Sequence, residues 1–281
     1  MPEIELTAGT VAYEDTGGPG PVLVLLHGLV HDATVWRKVV AELAPDYRVV
    51  APTLPYGSHR TPMNPDVPLS PDSVVDLIAE LLDRLDLTDV TLVESDCGRA
   101  QTVAVRHPER LAGLVLISCE AFDNYPPGAP GKMIDLACRI PGGVLLMARV
   151  LGLKPLRRLP VGLGALTKRP VPEAVADGWL RPLRTDPAIR DDFRRYCLAV
   201  RKDELLRAAE GLRTFDSPAL VVWAVDDLMM PREHGRRLAE LLPRGRLVEI
   251  EDSRTLVAED QPERLAKELR AFVAEASAGG A

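Results

Sequence analysis

The stretch Thr91 to Ala104, TLVESDCGRAQTVA, holds the residues of this 281-residue chain best arranged for chemistry. An apolar run ends, polar side chains sit at the turn, a glycine follows, and a helical pattern starts. A sharp strand-to-helix turn of this kind lifts one side chain off the tip of a buried strand. It also aims the N–H groups of the next helix at any anion formed there. Gly98 sets the register, which puts Asp96 at the tip, because reading Ser95 as the nucleophile would require a glycine at Cys97. A carboxylate in that place can attack carbon or move a proton.

The elements that must position it alternate. Apolar runs at Val22 to Leu26, Arg48 to Ala51, Val90 to Val93, Leu111 to Ile117, Ala219 to Val225 and Arg246 to Ile250 read as strands buried on both faces. Helical patterns lie between them, at Asp72 to Leu87, around Arg232 to Leu242 and from Pro262 to Ala274. Ile4 to Leu6 and Val11 to Tyr13 read as an antiparallel edge. The alternation implies an α/β fold with a mostly parallel, doubly wound sheet. Residues 121–216 break it with proline-punctuated helical patterns. They read as a helical cap inserted between core segments 1–120 and 217–281.

Composition narrows the function. With 34 basic and 41 acidic residues the net charge is −7, which argues against a nucleic-acid partner. No apolar run reaches the ~20 residues of a membrane span, and the first residues do not read as a signal peptide. The four cysteines form no metal-type pair and read as reduced thiols in a cytoplasmic protein. No G-x-G-x-x-G follows the first parallel strand and no phosphate loop is present, so neither cofactor nor metal is expected. The expected partner is a small organic molecule bound by a monomer or homodimer.

Three further segments agree with the turn. His27–Gly28 directly follows a strand, with Trp36 downstream, and Asp226–Asp227 ends a strand, with Pro231 after it. Together with the turn at Asp96 they resemble the α/β-hydrolase family, and the aspartate at the tip resembles its haloalkane dehalogenase and epoxide hydrolase branch. The resemblance implies that Asp96 is a nucleophile forming an alkyl ester, with the N–H groups of Leu29 and Cys97 as the oxyanion hole. It implies Asp227 as the acid that orients the base, with Glu120 as a second acid candidate. Tyr125 and Tyr196 become candidates to protonate an epoxide oxygen.

The family's histidine base falls on Thr255, in EDSRTLVAEDQPE, and a threonine hydroxyl cannot replace an imidazole. His27 belongs to the oxyanion-loop pattern. His31 and His59 lie in loops after strands, where α/β sheets bind ligands. His59, in the polar segment LPYGSHR, is the candidate displaced base. The expected function is a hydrolase opening epoxides or removing halides. The alternatives are a lyase, isomerase or cyclase using Asp96 as acid/base, and an inactive ligand-binding homologue.

Overall fold

The computed structural model describes residues 1–278. Among them, eight strands form one sheet: β1 (Glu3–Leu6), β2 (Gly9–Asp15), β3 (Val22–Leu26), β4 (Arg48–Pro52), β5 (Val90–Asp96), β6 (Leu111–Cys119), β7 (Ala219–Ala224) and β8 (Gly245–Ile250). Their spatial order is β1-β2-β4-β3-β5-β6-β7-β8. The β1–β2 and β2–β4 pairs are antiparallel, and every pairing from β4 onward is parallel. The apolar runs lie where burial on both faces demands them, with Leu23 to Leu26 and Leu114 to Ile117 inaccessible to solvent.

Helices α1 (Arg37–Leu43), α2 (Pro71–Arg84) and α3 (Arg99–Arg106) follow the first parallel strands. Ser70 and Ser73 close a reciprocal capping box on α2, and Pro71 occupies its first turn. Val74, Val75, Leu77, Ile78, Leu81 and Leu82 then fall on its buried face.

The insertion holds α4 (Gly128–Arg139), α5 (Gly143–Gly152), α6 (Lys154–Arg157), α7 (Leu163–Leu166), α8 (Glu173–Thr185), α9 (Pro187–Ala199) and α10 (Glu204–Leu212). The one-turn helices α6 and α7 have no sequence signature, being too short for a periodic pattern. Helix α10 packs against α3 of the core. The chain closes with α11 (Arg232–Leu241), α12 (Val257–Asp260) and α13 (Pro262–Ala278). Among the described residues no helix is long and apolar enough to cross a membrane.

Two strands run further than their apolar residues. β5 continues through Glu94 and Ser95 to Asp96, and β6 continues to Cys119, because the two pair along their whole length. The polar ends are therefore buried, and Glu120 emerges beside Asp96.

Candidate active site

Asp96 sits at the end of β5 with φ of 74°, in the left-handed region, a strained conformation for a non-glycine residue. The Cys97 N–H donates to Ser95 O at 3.0 Å, which makes the tip a γ-turn. That N–H, expected from the resemblance to face an oxyanion, is spent on the turn itself. The Glu120 N–H donates to Asp96 O at 2.9 Å and fixes the tip to the end of β6. Two glycines make room. A Cβ on Gly28 would lie 1.9 Å from Asp96 Oδ2, and one on Gly98 would lie 2.7 Å from Glu120 O. The Leu29 backbone lies beside the Asp96 carboxyl and favours its charged form.

The carboxyl groups around the tip are crowded. Asp96 is buried, and its acidity is weakened first by desolvation, then by the nearby charges of Glu120 and Asp227. Burial likewise pushes Glu120 up to about 7, with Arg99 pulling the other way. Glu94, where the family pattern has a glycine, accepts the Arg99 N–H at 3.0 Å and the Ala100 N–H at 2.7 Å. It caps α3 with a carboxyl that burial raises to about 7. Arg99, at 1% exposure, bridges to Glu204 at 3.2 Å and lies 3.8 Å from Glu120. Glu94 and Arg99 stand where the strand-to-helix turn pattern carries glycines, and that pattern gives neither a role. An acid in a buried strand directly before a helix start was the available signal.

The Asp96 carboxyl opens into a cavity of about 40 Å³ between core and cap. Glu120, His31 and Tyr125 share its wall with Leu29, Ile134, Leu166 and Met229. The Tyr125 hydroxyl donates to Cys197 O at 3.4 Å. His31 stands edge-on to Trp179, its Nδ1 buried without a hydrogen-bond partner, and burial lowers its pKa to about 3.

The other candidates lie elsewhere. His59 does not line this cavity. Its Nδ1 accepts the Gly57 N–H at 3.4 Å, leaving Nε2–H to donate to Asp192 Oδ2 of α9 at 3.1 Å. The ring thus ties a core loop to the cap, and the displaced-base role expected of it has no geometry behind it. His27 Nε2 accepts the Leu54 N–H at 2.9 Å, so its Nδ1–H donates to Gly28 O at 2.8 Å. Burial takes its pKa to about 4, and the ring holds the Gly28 loop. Tyr196 packs against Tyr56, ring centroids 4.8 Å apart, and the Cys97 thiol is buried with its pKa pushed up.

Asp227 and Thr255 form a separate cluster behind Asp96. Asp227 Oδ1 accepts the N–H groups of Met229 at 2.8 Å and Met230 at 2.9 Å, and the Thr255 hydroxyl at 2.9 Å. Thr255, with no exposed surface, gives its hydroxyl to Asp227. Among the described residues no group of three or more His, Cys, Asp or Glu side chains is placed to hold a metal ion.

A model of the alpha/beta hydrolase family matches residues 23–268. An uncharacterised hydrolase of Bacillus subtilis is 25% identical over 268 residues, 94% of each chain. A haloalkane dehalogenase of Mesorhizobium japonicum is 30% identical over 147 residues, 50% of this chain and 47% of the other. The structure of a haloalkane dehalogenase loop variant from Bradyrhizobium elkanii superposes with a TM-score of 0.80 at 20% identity, over 99% of this chain and 98% of that one. At that identity the likeness is one of fold.

Proposed function

The chain belongs to the alpha/beta hydrolase family, and on that premise we propose that it hydrolyses a small organic molecule with Asp96 as nucleophile and Glu120 as base. The observation that carries this reading is the cavity whose wall Asp96 and Glu120 share at the strained turn. In the first step the ionised Asp96 carboxylate attacks carbon and forms an alkyl ester, while the carbon–oxygen bond of an epoxide, or a carbon–halogen bond, breaks. Tyr125, on the same wall, supports the epoxide form, because an opened epoxide oxygen needs a proton. In the second step Glu120 takes a proton from the water that attacks the ester carbonyl and returns it to the departing alkoxide oxygen, which frees the product alcohol and leaves Asp96 as the acid, whose proton passes to solvent. Glu120 suits this task better than His31. A base with a pKa of about 7 works near neutrality, whereas one at about 3 is too weakly basic to take a proton from the attacking water.

Intact-protein mass after incubation with epoxides and haloalkanes, followed by peptide mapping, tests the scheme. Glu120→Gln should accumulate an ester on Asp96 and slow turnover by about 10²–10⁴-fold. Asp96→Asn should form no adduct. An unchanged rate in Asp96→Asn sinks the nucleophile. Turnover of the native enzyme should rise with pH as Asp96 and Glu120 lose their protons.

A second reading has its own observation. The charges of Glu120 and Asp227, added to burial, favour a protonated Asp96, which would make it a general acid in a lyase or isomerase. That route gives a bell-shaped pH profile and puts no labelled water oxygen into the product.

A further inference from the structure

The Asp96 cavity is the inner end of a series of three. It shares Leu29, His31, Pro130, Ile134 and Leu166 with a second chamber of about 50 Å³. That chamber is otherwise walled mainly by apolar side chains such as Met133, Val161 and Leu180, with Trp179 and the buried Arg157. The second chamber in turn shares Arg157, Leu163 and Ala176 with an open cleft of about 420 Å³. Shared walls set the three spaces side by side, from the cleft to Asp96. The two inner chambers hold only a few heavy atoms each, which suits a slender, unbranched chain.

The outer cleft is cationic, in a chain of net charge −7. Lys154, Arg157, Arg158, Lys168, Arg169 and Arg254 line it, against one acid, Glu173. Four of these cations are already paired. Lys154 meets Glu173, Arg157 meets Asp177, Lys168 meets Asp226 and Asp252, and Arg169 meets Asp252. Arg158 and Arg254 make no ion pair among the described residues. The Arg254 guanidinium reaches only the Gly164 carbonyl, and its Nε is buried without a partner. Asp260, the remaining acid nearby, is occupied by the backbone N–H groups of Lys168, Arg169 and Arg254.

We infer that the substrate carries an anionic group, a carboxylate or a phosphate, at the end of a thin aliphatic body remote from the reacting carbon. Arg158 and Arg254 hold the anion in the cleft, the apolar chamber takes the chain, and Asp96 meets the carbon at the far end. The inference rests on Asp96 being the reacting group. It adds the chemistry of the opposite end of the substrate. Planar guanidinium groups suit both anions, and their attraction falls as salt rises.

Calorimetric titration of the native protein with acetate, butanoate, hexanoate, octanoate, octan-1-ol, octyl phosphate and inorganic phosphate tests it. Octanoate or octyl phosphate should bind at least tenfold tighter than octan-1-ol, and whichever is tighter identifies the anion. Within the carboxylate series each added methylene should strengthen binding about fourfold as the chamber fills. In Arg158→Gln/Arg254→Gln the anionic probes should weaken to the level of octan-1-ol, whose own binding stays unchanged.

Equal binding of octan-1-ol and both anionic probes overturns the proposal, as does a preference that survives the double substitution. Acetate or phosphate binding as tightly as octanoate also overturns it, because the cleft would then be cut off from the chamber. The chain-length series uses unaltered protein and so does not depend on the variant folding. Labelling of Asp96 by an epoxide tests the nucleophile separately. Octanoate should protect Asp96 from that label, and labelling unaffected by bound octanoate overturns the proposal.

Discussion

Asp96 and Asp227 are both buried acids at the carboxyl end of the sheet, but they are held in opposite ways. Asp227 Oδ1 collects two backbone N–H groups and a hydroxyl, in a turn after β7 whose geometry needs those bonds. Asp96 has left-handed backbone, lies beside the Leu29 backbone, and faces a cavity and a second carboxyl. Hydrogen bonds to a carboxylate stabilise its charge, while burial and like charges raise its energy. The difference teaches that Asp227, with three donors on Oδ1 and Oδ2 buried without a partner, is locked into its turn and acts through its field, and that Asp96, on a strained turn beside a cavity, is the acid placed to meet a ligand.

The largest test of that contrast pairs the two acids. Asp96→Asn should lower turnover by about 10³-fold or more, as loss of a nucleophile does. Asp227→Asn keeps an oxygen for its three donors and removes only charge. That charge raises the pKa of Asp96, so its loss lowers it, and the rising limb of the pH–rate profile should move to lower pH. If Asp227→Asn were as inactive as Asp96→Asn, the two acids would be acting as one unit and the contrast would fail.

Next in size is Gly28→Ala. The new Cβ would overlap Asp96 Oδ2, so the carboxylate must swing out of its place. Misplacement of a reacting group by about 1 Å costs about 10²-fold in rate, and overpacking adds about 1–3 kcal/mol of instability. Activity and urea unfolding measured together separate the two. A variant with native rates would mean that Asp96 does not react from the observed position.

How much of this could be read in the sequence follows the range of the interactions. The apolar strands and the turn at Asp96 were legible because their causes are local: continuous burial between covering layers, and a glycine two residues past the tip. The α/β-hydrolase resemblance extended that reading to the fold. His59 was misread because its partner, Asp192, lies 133 residues away on a cap helix. The same holds for Arg99, whose neutralising partner Glu204 comes from α10, 105 residues on. Buried charges are intelligible only with their partners, and no local pattern supplies those. The cleft that Lys154, Arg157, Arg158, Lys168 and Arg169 form with Arg254 likewise needs the fold.

Glu94 offers a test through stability. Burial raises its pKa from 4.5 to about 7. The folded state therefore holds a proton that the unfolded chain releases earlier. The stability from that proton is fully present below the unfolded value and is lost as pH rises toward 7. A shift of this size corresponds to about 3 kcal/mol. Glu94→Gln cannot titrate and still offers an oxygen to the start of α3. It should match the native protein in urea unfolding near pH 4 and exceed it by up to about 3 kcal/mol near pH 8. Equal stability at both values would show that Arg99 carries the ionised carboxylate without cost.

The smallest effect belongs to Thr255, and it sharpens the contrast most. A valine there keeps the shape and removes the hydroxyl that reaches Asp227 Oδ1 at 2.9 Å. Two backbone N–H groups remain on that oxygen, so the loss should be about 1 kcal/mol of stability, the usual net value of one hydrogen bond. Thr255 does not line the Asp96 cavity, and its side chain is fully buried behind it. Turnover of Thr255→Val should therefore stay close to native while its urea midpoint falls. A collapse in rate with little change in stability would mean that the threonine hydroxyl passes a proton between Asp227 and the substrate. The Asp227–Thr255 cluster would then be part of the chemistry, and the division between the two acids would have to be abandoned.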